Sequence, residues 1–200
     1  DIDLLKRIEK ILTEKECVKN QLYLDVLSIL QDVDESYDFE IKLASALFAN
    51  GFFLKSSNVF KKILQNYDLE ENLKAKTLLE YANSLRMEKK YSQAISQTIK
   101  ALQIKPDCGE AYLLQGNIYV SGAKSCGNDF EQTTVYWLAV DCFVKAISDD
   151  KVKDIAVKSI NTYSKYFPNK ETCFFNGVQS GEKYTIGCWI NQTTLARTVD

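Results

Sequence analysis

The stretch LLEYANSLRMEKKYSQAISQTIKALQIKP, residues 78–106, decides the fold. Apolar or small side chains recur there at intervals of three and four, first in 78–85 and then in 94–102. That spacing places them on one face of a helix. Pro106 stops the second helix, and Asp107 can cap the next one. The stretch therefore predicts two amphipathic helices that bury their apolar faces together.

The same arrangement of small and large residues occurs on both sides of this stretch. The first unit matches the second at an offset of 38 residues, and the third follows at an offset that changes from 34 to 45. The matched positions are Ala44, Leu47, Phe53, Ser56, Phe60 and Ile63, then Ala82, Leu85, Tyr91, Ala94, Thr98 and Ala101, then Tyr112, Gly116, Tyr119, Ala139, Phe143 and Ala146. The change of offset indicates an 11-residue insertion between the helices of the third unit. Such self-similarity is typical of a helical repeat array.

These units resemble the tetratricopeptide repeat (TPR). The second unit has Y-A-x-x-L, then Y-x-x-A-x-x-x-T-x-x-A and Pro106; the third keeps Y-x-x-x-G-x-x-Y and A-x-x-x-F-x-x-A but lacks the closing proline. The first unit lacks the first large aromatic residue and has Ser56 where alanine is usual. The resemblance implies an all-α fold, an α-α superhelix or solenoid, in which the first helix of each unit lines a concave groove for a peptide or a partner helix.

The helical pattern extends beyond the three repeats. We expect a helical domain over 1–167, built from a degenerate pair at 2–32, repeats at about 37–66, 75–106 and 109–149, and a closing helix at 151–166. The first pair is less polar than the exposed end of a solenoid should be, which predicts further repeats before Asp1. Residues 168–200 are rich in glycine, threonine and aromatic residues and predict a short C-terminal β-like tail.

Two strand pairings are open for the tail. Segments 183–190 and 193–199 could pair around a turn at Asn191-Gln192. A hairpin that turns at Ser180-Gly181 would instead set Cys173 opposite Cys188, within reach of a disulfide. Free buried thiols are the alternative to that bond.

The tail also resembles the C-terminal segment of tetratricopeptide proteins of the Gram-negative cell envelope. The resemblance rests on Phe167-Pro168, Phe174-Phe175 and the run YTIGCWI at 184–190. It implies a periplasmic or cell-envelope location, with the cytoplasm as the alternative. We expect Trp189, Phe174 and Phe175 to pack against the final helix.

Composition excludes several classes of function. The 200-residue chain has no histidine, which rules out Ser-His-Asp and Cys-His catalysis and His-containing zinc sites. Its 25 basic and 27 acidic residues give a net charge of -2, which argues against nucleic-acid binding because such binding depends on an excess of basic residues. The longest nearly apolar run, 44–54, is too short to cross a membrane. We therefore expect no metal, no cofactor, no nucleic-acid partner and no membrane insertion.

A protein or peptide partner is expected in the groove that the TPR resemblance implies. The candidate residues are Leu79, Asn83, Arg86, Leu113 and Asn117. The two asparagines lie 34 residues apart in register and can pair with a peptide backbone, while the leucines form an apolar floor. Asparagines that merely face solvent or bridge helices are the alternative. The TPR clamp for acidic tails has lysines where Ile41, Leu79 and Leu113 stand here, so such a tail is not the expected ligand.

The insertion 121–136, SGAKSCGNDFEQTTVY, predicts a polar loop in which Cys126 is exposed. A catalytic cysteine would need a base to activate it, and the chain has no histidine to serve as one. The sequence therefore predicts a non-catalytic protein-interaction module. A structural or assembly subunit of an envelope complex is the alternative, and a cysteine-dependent enzyme is a remote one.

Overall fold

The structure, a computed structural model, describes residues 1–34 and 36–199. The chain divides into two units, Asp1–Glu88 and Lys89–Asp200. The first unit contains helices α1 (Ile2–Glu14), α2 (Gln21–Val33), α3 (Tyr37–Ala49), α4 (Phe53–Asn66) and α5 (Glu71–Met87). The second contains α6 (Tyr91–Ile104), α7 (Gly109–Gly122), α8 (Asp129–Ala146), α9 (Lys153–Tyr163) and α10 (Lys170–Phe175), then strands β1 (Lys183–Ile186) and β2 (Gln192–Leu195). The predicted all-α class with a short β tail is confirmed.

In the first unit, each helix packs against the next one along the chain. One core cluster includes Leu27 and Leu47, from α2 and α3. Another includes Ala44, Phe60 and Ile63, from α3 and α4. Because α3 contributes to both clusters, it is the central helix of this unit.

A buried serine pair explains why Ser56 stands where the TPR pattern has alanine. Ser56 Oγ donates to the carbonyl oxygen of Ala44 at 2.8 Å and lies 3.0 Å from Ser84 Oγ. Ser84 Oγ also lies within 3.0 Å of the carbonyl oxygen of Glu80, to which it donates. Both serines are fully buried, and each hydroxyl hydrogen has an acceptor within reach. The pair thus links α3, α4 and α5 without leaving a polar group unsatisfied.

Gly116 allows α7 and α8 of the second unit to approach closely. A Cβ atom at this position would lie 2.3 Å from the Phe143 ring, far inside van der Waals contact. Phe143 is fully buried and belongs to the same core cluster as Trp137. The glycine of the third repeat is therefore a steric requirement of the packing.

The predicted polar loop over 121–136 is wrong. A single 3-10 turn, Ala123–Ser125, follows α7, and α8 already begins at Asp129. Asn128 caps α8: its side chain accepts from the Glu131 N–H at 3.0 Å, and the Glu131 carboxylate accepts from the Asn128 N–H at 2.8 Å. The insertion therefore extends a helix. The extension lacks a one-sided apolar stripe because α8 packs against α7, α9 and the tail.

Arg197 anchors the tail to α8. Its guanidinium donates to Asp141 Oδ1 and to the carbonyl oxygen of Trp137, both at 2.7 Å, and Trp137 Nε1 donates to the Arg197 carbonyl oxygen at 2.7 Å. Thr194 on β2 donates to the other oxygen of Asp141. β1 and β2 pair antiparallel from Lys183 opposite Leu195 to Ile186 opposite Gln192. The hairpin that turns at 180–181 does not form.

The predicted disulfide between Cys173 and Cys188 is also wrong. Cys188 bonds to Cys126, 62 residues away, with their Cα atoms 5.4 Å apart. The other pairing needs the hairpin at 180–181, whereas β1 pairs with the strand that follows it. Cys173 is a buried free thiol. Cys126 is only 1% exposed, so its predicted exposure is wrong. It is buried because its disulfide lies between the α7–α8 connection and the tail.

The aromatic residues of the tail are not packed against the final helix as expected. Trp189 lies between Tyr91 of α6 and Tyr119 of α7, with ring centroids 5.4 and 5.9 Å away. Phe174 and Phe175 are 78% and 76% exposed. They end α10, a six-residue helix whose one buried residue is the preceding cysteine. Successive residues of a helix are rotated by about 100° from one another, so the two residues after Cys173 turn away from its buried side.

Replacing Gly116 with alanine should destabilise the protein. Alanine favours a helix over glycine by about 1 kcal/mol, but forcing a methyl group into a packed core costs about 1–3 kcal/mol. We expect a lower free energy of unfolding in urea, with partial recovery when Phe143→Leu is added. Unchanged or higher stability of Gly116→Ala alone would contradict the steric requirement.

The serine pair can be tested by a double-mutant cycle. Ser56→Ala and Ser84→Ala should each lower the free energy of unfolding by about 1 kcal/mol because each removes a buried hydrogen bond. The loss in free energy of unfolding of the double variant should be smaller than the sum of the two single losses by at least about 0.5 kcal/mol, since the hydroxyls contact each other. Strictly additive losses would mean that they do not interact.

Thiol titration tests the disulfide. We expect four thiols in the denatured, non-reduced protein and six after reduction, with a 126–188 link in a non-reduced digest. Changing both bonded cysteines to serine should cost about 4 kcal/mol, as expected for opening a loop of this length. A 173–188 link in the digest would refute the pairing.

Candidate partner-binding site

The predicted groove residues lie on the first helices of two repeats. Leu79, Asn83 and Arg86 are on α5 of the first unit, and Leu113 and Asn117 are on α7 of the second. All five are partly buried. Leu113 packs against two core clusters of the second unit, so much of its surface serves the fold.

Asn83 and Arg86 form one hydrogen-bonded group. Asn83 Oδ1 accepts from Arg86 Nε at 3.0 Å and from Arg86 Nη2 at 2.9 Å. These bonds use the acceptor atom that was expected to meet a peptide N–H. The Asn83 amide therefore acts first as a support that fixes the guanidinium.

A groove of about 310 Å³ opens in the first unit between α3 and α5. It is lined by Val18, Tyr23, Ile41, Lys42, Ser45, Ala46, Ala49, Lys76 and Glu80. Ile41, Ser45 and Ala49 recur every four residues, so they form one stripe along α3. Lys76 and Glu80 form the facing stripe on α5.

Polar contacts define the edges of this groove. Ser45 Oγ donates to Glu80 Oε2 at 2.8 Å and so joins α3 to α5. Lys76 Nζ lies 4.0 Å from the other Glu80 oxygen. At another edge, Lys42 Nζ lies 2.9 Å from the buried Glu9 carboxylate of α1. The groove thus has charged groups beside an apolar floor.

The floor is apolar and held in place. Ala46 and Ala49 leave room above α3, while Ile41 and Val18 supply larger apolar surface. The Asn50 amide donates to the carbonyl oxygens of Val18 and Ala46, at 3.0 and 2.8 Å. This pair of bonds fixes the α1–α2 loop to the end of α3. A preformed floor lowers the entropic cost of binding.

The site prediction selected neighbouring positions on α5 but missed this groove. Leu79 and Asn83 lie 38 residues after Ile41 and Ser45, so the repeat offset could have identified the α3 stripe. The four-residue spacing of Lys76 and Glu80 was a further signal. The two α5 stripes are three residues apart and differ by about 60° around the helix.

Four of the six cysteines are either disulfide-bonded or buried thiols with a raised pKa. Cys126 is held in the disulfide with Cys188. Burial raises the pKa of the Cys142 thiol to about 12, and it also raises the pKa of Cys173. A higher pKa reduces the thiolate fraction on which nucleophilic reactivity depends.

The described residues include neither a cluster of metal-ligating side chains nor a helix of membrane-spanning length and polarity. No group of three or more Cys, Asp or Glu side chains is arranged there to hold a metal ion. None of the described helices is long and apolar enough to cross a membrane.

Solved structures similar to this chain share its fold. MamA 41-end from Desulfovibrio magneticus RS-1 matches with a TM-score of 0.56 and 15% identity, covering 82% of this chain and 90% of that one. The MamA RS-1 ArsTM double mutant matches with a TM-score of 0.58 and 15% identity, covering 82% and 93%. These matches confirm the TPR-like helical fold. No curated protein sequence matches the chain.

A family profile matches residues 55–191, from α4 to the end of the hairpin connection. It describes the plant-specific mitochondrial import receptor subunit TOM20, which is a TPR-like receptor family. This family differs from the envelope proteins that were expected from the sequence of the tail. Because the match spans more than half of the chain, the chain belongs to the family of the plant-specific mitochondrial import receptor subunit TOM20.

Proposed function

We propose that the chain is a non-catalytic interaction module that binds a protein segment in the groove between α3 and α5. The family description is that of a receptor subunit, and a receptor acts by binding other proteins. The observation that carries the proposal is the preformed groove of about 310 Å³ on first helices of the repeats. In TPR arrays, these helices are the ones expected to face a ligand.

The lining of the groove suits an extended peptide with one apolar side chain. That side chain would rest on the floor formed by Ile41 and Ala49. Lys42 and Lys76 would donate to backbone carbonyl groups or side-chain oxygens of the peptide, and Glu80 would accept from its N–H groups. Apolar contact supplies affinity, and the fixed polar groups select orientation.

The candidate residues Leu79, Asn83, Arg86, Leu113 and Asn117 are proposed as additional contacts for the same class of partner. The Arg86 guanidinium, supported by the amide of Asn83, can present donors to a carboxylate or carbonyl oxygen.

An assembly role is the second candidate function. Leu4 and Ile11 on α1, and Leu22, Ile29 and Val33 on α2, are each 48–56% exposed. Their spacing of seven or four residues places each set on one helix face. Such faces suit packing against another helical subunit of a larger complex.

For the partner and compartment we propose a protein partner in an oxidising compartment. The net charge of -2 disfavours nucleic acid. The Cys126–Cys188 disulfide favours the periplasm or cell envelope over the cytoplasm, where thiols are kept reduced.

A blocking substitution tests the groove. A peptide selected from a random display library against the full chain should bind Ala49→Trp at least about tenfold more weakly than the wild type. The reason is that the indole would occupy the floor. Calorimetry measures the affinity, and thermal unfolding shows whether the variant is folded.

Asn58→Trp is the matched control, because Asn58 is exposed on α4 of the same unit and lies outside the groove lining. It should bind within about twofold of the wild type. Equal binding by wild type and Ala49→Trp would refute the groove. Unchanged affinity of an Asn83→Ala, Asn117→Ala variant would mean that neither asparagine contacts the peptide.

A further inference from the structure

A second depression, of about 640 Å³, lies within the second unit and is not used by the proposed groove. It is lined by Lys89, Lys90, Tyr91, Ser92, Gln93, Ser121, Lys124, Ser125 and Trp189. These residues come from the start of α6, the region after α7 and the tail. We define them as the Trp189 depression.

The charge of the Trp189 depression is positive. Three of its lining residues are lysines and none is acidic. Lys89 and Lys90 precede α6, whereas Lys124 lies in the 3-10 turn after α7. Apart from these three lysines, the second unit has 10 basic and 11 acidic residues, so this clustering is local. A ligand that touches only the depression would meet a positive potential.

The aromatic wall of the depression is rigid. Trp189 lies between Tyr91 and Tyr119, and its Nε1 donates to the Gly122 carbonyl oxygen at 3.4 Å. A Cβ at Gly122 would lie 2.5 Å from the Trp189 ring, so only glycine permits this contact. The neighbouring Cys188 is tied to the α7–α8 connection by its disulfide. The wall is therefore preorganised, which lowers the cost of binding.

Hydroxyl and amide groups add neutral hydrogen-bonding capacity beside the lysines. Ser92, Ser125 and Gln93 lie at the surface of the depression. Ser125 Oγ donates to the Gly122 carbonyl oxygen at 2.6 Å, which fixes the turn that carries Lys124. Ammonium groups, hydroxyls and an apolar wall together match a peptide that carries carboxylates next to apolar atoms.

We propose that the Trp189 depression binds a short acidic segment of a partner protein, rich in Asp or Glu. Its lysines come from two separate segments of the chain, an arrangement that suits several carboxylates along a peptide. A long polyanion such as nucleic acid would extend past the depression, where the rest of the second unit has no excess of basic residues. Since charges interact over only about 8–10 Å at physiological salt, a short segment meets mainly the lysines.

This site is independent of the α3–α5 groove. The groove is lined by residues of the first unit, whereas the depression is lined by residues of the second. The two ligands also differ: the groove is proposed to take an apolar side chain, and the depression an acidic run. Failure of one proposal therefore leaves the other standing.

The probe is a fluorescein-labelled peptide of alternating Glu and Ala, titrated with the full chain and followed by fluorescence anisotropy at about 50 mM salt. Lys89→Gln, Lys124→Gln should weaken binding at least about tenfold, since each lost lysine removes a charge contact. Lys153→Gln, Lys158→Gln is the matched control, because both lysines are exposed on α9 of the same unit. The control and Ala49→Trp should each bind within about twofold of the wild type.

Three results would overturn the proposal. One is that the peptide does not bind up to about 1 mM. Another is that the Lys89→Gln, Lys124→Gln variant binds the peptide as tightly as the wild type, or that the α9 control variant loses as much affinity as this variant does. The third is that a matched Gln-Ala peptide or a thymidine oligonucleotide binds as tightly as the Glu-Ala peptide, which would point to apolar contact or to nucleic acid instead.

Discussion

Close contact between helices at small residues is the constraint on which the structure depends. Ala44 and Ala82 are fully buried, and Gly116 lies where a methyl group would meet the Phe143 ring. Larger side chains at such positions would push neighbouring helices apart. In the first unit, close packing brings α3 near enough to α5 for Ser45 to reach Glu80. The groove is thus a consequence of how the repeats bury their apolar faces.

The helices of the repeats could be predicted because their apolar faces are one-sided. The extension of α8 could not, because Thr134, Val135 and Trp137 are all buried and no polar face marks the helix. Its one local signal was Asn128 followed three residues later by Glu131, a capping box. The Cys126–Cys188 bond depends on how the tail folds back on α8, and sequence spacing does not encode that contact.

The predicted site residues lie on the first helices of two repeats, but none of them lines the groove between α3 and α5. The register of the repeats indicates which helix faces a ligand, but not which side chains of that helix line the groove. On α5 the predicted Leu79 lies three residues from Lys76, which lines the groove. The hydrogen bonds between Asn83 and Arg86 depend on side-chain conformation, which the register of the repeats does not determine. Trp189 is a similar case, since its contact with Tyr91 joins residues 98 apart in the chain.

Amide chemical shifts during titration with a selected peptide test the central claim most directly, because they locate the ligand without altering a residue. We expect the largest changes in α3 and α5, at 41–49 and 76–80, with small changes in α9. Changes confined to α9 and α10, with α3 and α5 unaffected, would contradict a peptide-binding groove between α3 and α5.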